Sequence, residues 1–308
     1  MEKERKIRML GIDLDGTLLT RDKRMTGRTR QALVEAVRAG IEVVPVTGRP
    51  LTGVPADVLG IPGIRYVITS NGSNTYALHG GEDGGLLVLR KAHLPHETVR
   101  RIMSSAPGSD VIREIFLRGV GYHDAHTQEM LEQRFSVAPP ILAYINRSRK
   151  IVPDFEDLLR DPSSHVENVS LMFPSEEARD ESLALLKKIR GPEGERLLHI
   201  LLPWKTDLEI THVLADKWRS LEDLGTRLGI SDAEIMTIGD GDNDRPMLRG
   251  AGFSVAMGNA PDFVKETADE ITEDNDHDGA ALAVFRMLAL RDGSVDFPEA
   301  GSMARNHF

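Results

Sequence analysis

Two short apolar runs joined by one amphipathic helical pattern constrain this chain more than any other feature. Ile7 to Ile12 is mostly apolar, and Ile41 to Val46 is nearly uninterrupted. Runs of that kind fit strands buried on both faces. Between them, Thr26 to Ala39 puts Ala32, Leu33, Ala36 and Val37 on one helical face, and Gly40 stops the pattern. A short helix near Pro55 to Leu59 and a third strand, Tyr66 to Thr69, follow. The order β-α-β-α-β requires a parallel sheet with right-handed crossovers. Pro45 is placed near its strand's end, where the missing N–H costs least.

The pattern changes after Asn71. Thr75 to Leu78 and Leu86 to Leu89 flank a Gly-rich turn, His79 to Gly85. From about Leu94 to Pro203 the order is helix, strands, helix, strands, helix, strand, including a strand at Val166 to Phe173, a helix at Ser175 to Ile189 and a strand at Leu197 to Leu202. That section reads as an inserted α+β domain. The last third returns to α/β order, with a helix at Asp216 to Leu228, strands at Ile235 to Ile238 and Phe253 to Ala256, and a helix at Gly279 to Leu290. The expected division is a core over 1–82, an insert over 83–204, the rest of the core over 205–290, and a loosely held tail over 291–308.

At 308 residues, two domains are more natural than one. Cysteine is absent, so there is no disulfide framework and no thiolate chemistry. No apolar run reaches membrane-spanning length, and the charged start lacks a secretory apolar segment, so a cytoplasmic protein is expected. The formal net charge of -10 argues against a broad nucleic-acid surface. An anionic substrate would therefore need locally supplied positive charge from a metal ion, a lysine or helix N-termini.

Four pieces carry chemistry. Asp13 and Asp15 follow the first strand, two residues apart and so on one face. Thr47-Gly48-Arg49 follows the second strand, Lys217 starts a helix, and Asp240-Gly241-Asp242-Asn243-Asp244 follows a strand late in the chain. In an open parallel sheet, ligands bind beyond the carboxyl ends of the strands. Several carboxylates with only oxygen ligands suit Mg²⁺. One carboxylate can act as nucleophile, a second as general acid and base, while a hydroxyl, a lysine and backbone amides hold phosphoryl oxygens. Taken singly, each piece is an ordinary turn or surface group. A calcium loop would need Gly and Glu where this chain has Arg245 and Ala251.

Together these motifs resemble the haloacid dehalogenase superfamily of phosphatases, in its Cof-type branch with a large cap inserted after the third core strand. The matching residues are Asp13-Leu14-Asp15-Gly16-Thr17, Thr47-Gly48-Arg49, Thr69-Ser70-Asn71-Gly72, Leu208-Glu209-Ile210 leading to Lys217, Gly239 to Asp244, and Asn275 to Gly279. The resemblance implies a Rossmann-like α/β core with an α+β cap. It implies Asp13 as nucleophile and Asp15 as general acid and base. It places Thr47 and Lys217 on the phosphoryl group, with Gly48, Arg49, Asn71 and Asn243 bordering the phosphate and substrate. Asp13, Asp240, Asp244 and the backbone carbonyl of Asp15 would surround Mg²⁺. One position departs: Trp218 follows the lysine where the branch has glycine.

The activity implied is hydrolysis of small phosphate monoesters, sugar phosphates foremost, through an aspartyl-phosphate. The partner is a small phosphorylated metabolite, with no nucleic acid or membrane, for a monomer or homodimer. A phosphomutase and a non-catalytic phosphate sensor are the alternatives. Tyr122, His123, His126, Tyr144 and Arg147 are the cap residues that could face the cleft, and Lys205 is a substitute for the lysine.

Overall fold

The structure is a computed structural model and describes residues 7–81, 84–133 and 139–291. Its strands are β1 (Met9–Ile12), β2 (Glu42–Pro45), β3 (Tyr66–Thr69), β4 (Asn74–Ala77), β5 (Leu87–Lys91), β6 (Ile112–Leu117), β7 (Val120–Asp124), β8 (Arg149–Val152), β9 (Val166–Met172), β10 (Leu198–Leu201), β11 (Asp207–His212), β12 (Ile235–Gly239), β13 (Phe253–Ala256) and β14 (Glu270–Ile271).

The core sheet runs β14-β13-β12-β1-β2, with every pair parallel. A parallel bridge from Val46 to Ile68 carries it on to β3. Alternation along the strands feeds two layers. Leu10, Ile12, Val43, Ile238 and Val255 pack under the helices Gly27–Arg38 and Gly279–Arg291. Met9, Val44 and Ile235 pack under the helix Lys217–Arg227 through Leu221 and Leu224. Each fully buried aliphatic side chain of this kind contributes roughly 1.5–3 kcal/mol. The first helix starts where the sequence places it because Thr26 caps it, its side chain accepting from the Thr29 N–H. Such a cap is worth about 1 kcal/mol.

Register fixes the level of the strand ends. Ile12 is opposite both Pro45 and Ile238, so the residues that follow β1, β2 and β12 emerge side by side.

β3, β4 and β5 form an antiparallel sheet, and six strands form the cap sheet in the order β10-β11-β9-β6-β7-β8. The expected boundary at 82/83 and the tail from 292 lie outside the described residues. The hairpin around that boundary belongs as a unit to the sheet led by β3. At the other end the cap sheet reaches past the expected boundary at 204, since β11 pairs antiparallel with β9 and β10. The reason lies in β11's alternation: Leu208 and Ile210 face the cap's apolar core, while Asp207 and Glu209 face away. One face of the cap sheet is thus covered by the helices His96–Ser104 and Glu176–Leu186, through Val99, Ile102 and Leu186. The opposite face turns toward the core's strand ends, where Glu209 meets Asn71.

Candidate active site

The acidic segments from opposite ends of the chain meet. Asp13 begins the loop after β1, its N–H bonded to the Ile238 carbonyl (3.0 Å). Lys217, only 1% exposed, bridges two of them: its Nζ is 2.7 Å from Asp13 Oδ1 and 2.6 Å from Asp244 Oδ1. Burial alone would lower the lysine's pKa, but these two carboxylates outweigh it and raise it. Asp244 Oδ2 accepts from the Asp240 and Gly241 N–H groups (2.9 and 2.8 Å). Asp240 Oδ1 accepts from Thr17 Oγ1 (2.9 Å), and its Oδ2 from Asn259 Nδ2 (3.2 Å). Gly16 makes this approach possible. Its φ is +83°, and a Cβ there would stand 2.2 Å from Asp240 Oδ2.

Asp13, Asp240 and Asp244 each offer a carboxylate oxygen, all within 4.8 Å of one another. One lysine does not neutralise three carboxylates. Burial first, and then Asp244, push Asp240 up to about 7. Burial also pushes Asp13 well above the carboxylate range, against the pull of Lys217. An all-oxygen, charge-excess cluster is the donor set that Mg²⁺ takes, so the residues fit that ion.

Asp15 points elsewhere. Its two oxygens are each 2.6 Å from the Arg49 guanidinium, through Nε and Nη2, and Lys23 Nζ is 2.7 Å from Oδ1. Burial raises this carboxyl's pKa, but Arg49 and Lys23 together overcome that and hold it at about 2. Arg49 in turn donates to the Gly53 carbonyl (2.8 Å) and lies 4.2 Å from the ring centroid of the cap residue Tyr144.

The third wall is a strained turn. Ser70, Asn71 and Gly72 all have positive φ (50°, 54° and 92°). Left-handed backbone at a non-glycine residue costs on the order of 1–3 kcal/mol and persists only where its surroundings fix it. Here the Asn71 N–H bonds to the Thr47 carbonyl (3.0 Å), and Ser70 Oγ donates to the buried cap carboxylate of Glu167 (2.8 Å). The Asn71 side chain then reaches three ways. Its Oδ1 accepts from Asn243 Nδ2 (2.9 Å), its Nδ2 donates to Glu209 Oε2 (2.5 Å), and a Cβ on Gly48 would lie 3.1 Å from its Oδ1. Thr47 Oγ1 accepts from the Arg49 N–H (3.1 Å).

Contacts thus link the residues expected at the site into one cluster, although the Asp15 carboxylate stands apart from the acidic triad. Trp218 does not displace Lys217. Its ring lies against Gly250, where a Cβ would be 2.1 Å away, and Asp216 caps the helix beneath it. Of the cap candidates, Tyr144 touches the site. His123 is buried beside Glu114 (3.6 Å), Tyr122 packs into the cap's apolar core, and His126 bonds to the Ser109 carbonyl. Lys205 faces Glu176 at 4.0 Å and is 88% exposed, so it does not substitute for Lys217. Lys23 and Asn259 went unseen in sequence. Asn259 follows the end of β13, and the strand-end rule could have flagged it; Lys23 sits in a loop with no periodic signal.

The family profile of haloacid dehalogenase-like hydrolases matches residues 10–284. Among curated proteins, the 5-amino-6-(5-phospho-D-ribitylamino)uracil phosphatase YcsE of Bacillus subtilis is 28% identical, over 90% of this chain and 94% of its own. The phosphatase YwpJ of the same organism is also 28% identical, over 92% and 100%. Among solved structures, a haloacid dehalogenase-like hydrolase from B. subtilis superposes with a TM-score of 0.75 at 26% identity, covering 91% of this chain and 99% of its own. The subclass IIB sugar phosphatase BT4131 gives 0.71 at 25%, covering 91% and 98%.

Proposed function

The chain belongs to the haloacid dehalogenase-like hydrolase family, as a Cof-type phosphoric monoester hydrolase, and from that premise we propose that it is a Mg²⁺-dependent phosphatase using Asp13 as nucleophile. The observation that carries this reading is the convergence of Asp13, Lys217, Asp240 and Asp244 at the ends of β1 and β12.

Lys217 fixes Asp13 Oδ1, and no described residue bonds Oδ2, so Oδ2 is the oxygen available to attack phosphorus. Lys217, the Thr47 hydroxyl and the Gly48 N–H hold the phosphoryl oxygens as charge spreads over them, the Thr47 N–H being spent on the Ile68 carbonyl. Asp13, Asp240, Asp244 and the Asp15 carbonyl would hold Mg²⁺, which when bound supplies the charge neutralisation that a dianionic ester needs beside three carboxylates. Asp15 is ionised while paired with Arg49. To protonate the leaving oxygen it must give up that pair and take a proton. In the second step the same carboxylate accepts a proton from the water that opens the aspartyl-phosphate.

The substrate is a small phosphorylated metabolite whose alcohol part is a sugar or polyol. The names of two relatives support this, one acting on a ribityl phosphate and one a sugar phosphatase. A cytoplasmic setting fits such a substrate, and no helix among the described residues is long and apolar enough to cross a membrane.

The test is release of inorganic phosphate from phosphate monoesters with Mg²⁺, without any bisphosphate activator, for wild type beside Asp13→Asn. We expect turnover by the wild type and a loss of about 10³-fold or more in the variant. Equal rates would overturn the nucleophile. Turnover that needs a bisphosphate would indicate a mutase, and binding without turnover a sensor.

A further inference from the structure

The cap sheet carries a polar row over the catalytic pocket. Glu209 on β11 is paired with Ser170 on β9, and Ser170 is paired on its other side with Glu114 on β6. Directly opposite residues of an antiparallel sheet share a face. The three side chains therefore lie in line, spanning about 10 Å across three strands. Their neighbours in sequence, Leu208, Ile210, Val169, Leu171 and Ile115, point into the cap's apolar core. The row is thus on the face turned toward the core.

Both ends of the row are tied to the catalytic loops. At one end Glu209 Oε2 accepts from Asn71, which bonds to Thr47 and Asn243. At the other end Arg149 binds both oxygens of Glu114 (2.9 and 3.1 Å) and donates to the Tyr144 hydroxyl (3.3 Å). Tyr144 covers Arg49, which holds Asp15. The row consequently roofs the gap between the phosphate-binding turn and the acid/base residue, where the alcohol half of a bound ester must lie.

The polar groups along it are unequal. Glu114 is compensated by Arg149. Among the described residues no cation lies within ion-pair distance of Glu209, and its Oε1 has no donor. Ser170 is half-buried and its hydroxyl has no hydrogen-bond partner among the described residues. Neither atom is sealed from solvent and left orphaned. What remains is one free acceptor bearing negative charge and one hydroxyl that can both donate and accept.

We infer that Glu209 and Ser170 are specificity-determining residues for the leaving group, selecting uncharged alcohols rich in hydroxyl donors and rejecting those with a second anion. This rests on the phosphatase reading. A hydroxyl-rich chain replaces the water on both groups with matched hydrogen bonds, and an alcohol lacking hydroxyls leaves them unpaired. A carboxylate or second phosphate would meet the charge of Glu209, which no ion pair among the described residues neutralises.

The test measures kcat/KM with Mg²⁺ on sorbitol 6-phosphate, p-nitrophenyl phosphate and 3-phosphoglycerate, for wild type, Ser170→Ala and Glu209→Gln. In wild type, sorbitol 6-phosphate should be preferred to 3-phosphoglycerate. Each substitution should lower the ratio of sorbitol 6-phosphate to p-nitrophenyl phosphate by about tenfold or more, the size expected for one lost polar contact. Glu209→Gln, which keeps an acceptor for Asn71, should also raise 3-phosphoglycerate relative to sorbitol 6-phosphate. Ratios unchanged in both variants overturn the inference, as does an equal fall on all three esters, which would mean that the row only supports Asn71. A wild type inert toward every monoester would instead overturn the phosphatase reading beneath it.

Discussion

Lys217 Nζ lies 2.7 Å from Asp13 Oδ1 although 204 residues separate them in the chain. The contact joins distant parts of the chain and does so out of water, because the lysine side chain is 0% exposed. Its ammonium is the fixed positive charge that this acidic chain supplies at its own nucleophile.

Removing that charge leaves two buried carboxylates without their cation. Lys217→Met should therefore destabilise the metal-free protein by about 3–5 kcal/mol. Urea unfolding at pH 7.5 checks this, and a change below about 1 kcal/mol would mean that the pair relaxes into water rather than staying buried.

The acidic triad should report its ion without any turnover. Saturating Mg²⁺ should raise the midpoint of thermal unfolding, a ligand at 100 times its Kd adding about 2.7 kcal/mol. Asp240→Asn should remove most of that shift. Calorimetry with and without EDTA makes the comparison, and an unchanged shift in the variant would place the ion elsewhere.

Glu209 sets a pH dependence of stability. Burial raises its carboxyl from 4.5 to about 6, against a smaller lowering by Asn71. The folded state then binds a proton that the unfolded chain has released. Its favourable contribution is complete below pH 4.5 and is lost as pH rises through about 6. Glu209→Gln should accordingly be more stable than wild type by about 2 kcal/mol at pH 8, and nearly equal to it at pH 4. Chemical denaturation at the two pH values gives the difference, and a gap of the same size at both would show that charge is not its cause.

Much of this was legible in the chain. Met9 to Ile12 and Glu42 to Pro45 declare themselves as buried parallel strands, and Phe253 to Ala256 falls where its apolar run places it. The acidic motifs stood out because paired carboxylates at strand ends are costly without a cation. Two things were not legible. Glu209 lies close in sequence to Lys217, which drew β11 toward the core, yet its pairing with β9 is long-range and only the fold reveals it. The grip of Arg49 and Lys23 on Asp15 depends on rotamers and on a loop, neither of which a pattern of residue types encodes. Tyr144 was one of several aromatic and basic cap residues, and only its stacking on Arg49 sets it apart.

The route of the backbone between the sheets limits how the cap can travel. β5 ends at Lys91 and the first cap helix begins at His96; β11 ends at His212 and the lysine helix begins at Lys217. Each tether is four residues, and four residues span at most about 14 Å when fully drawn out. The cap can swing about that pair of leashes but cannot drift off. β11 sits beside the pivot and β8 at the opposite rim of its sheet, so a swing that barely stirs Glu209 would carry Tyr144 through the widest arc. The aromatic lid on Arg49 would part first, freeing Asp15 while the phosphate turn stays assembled.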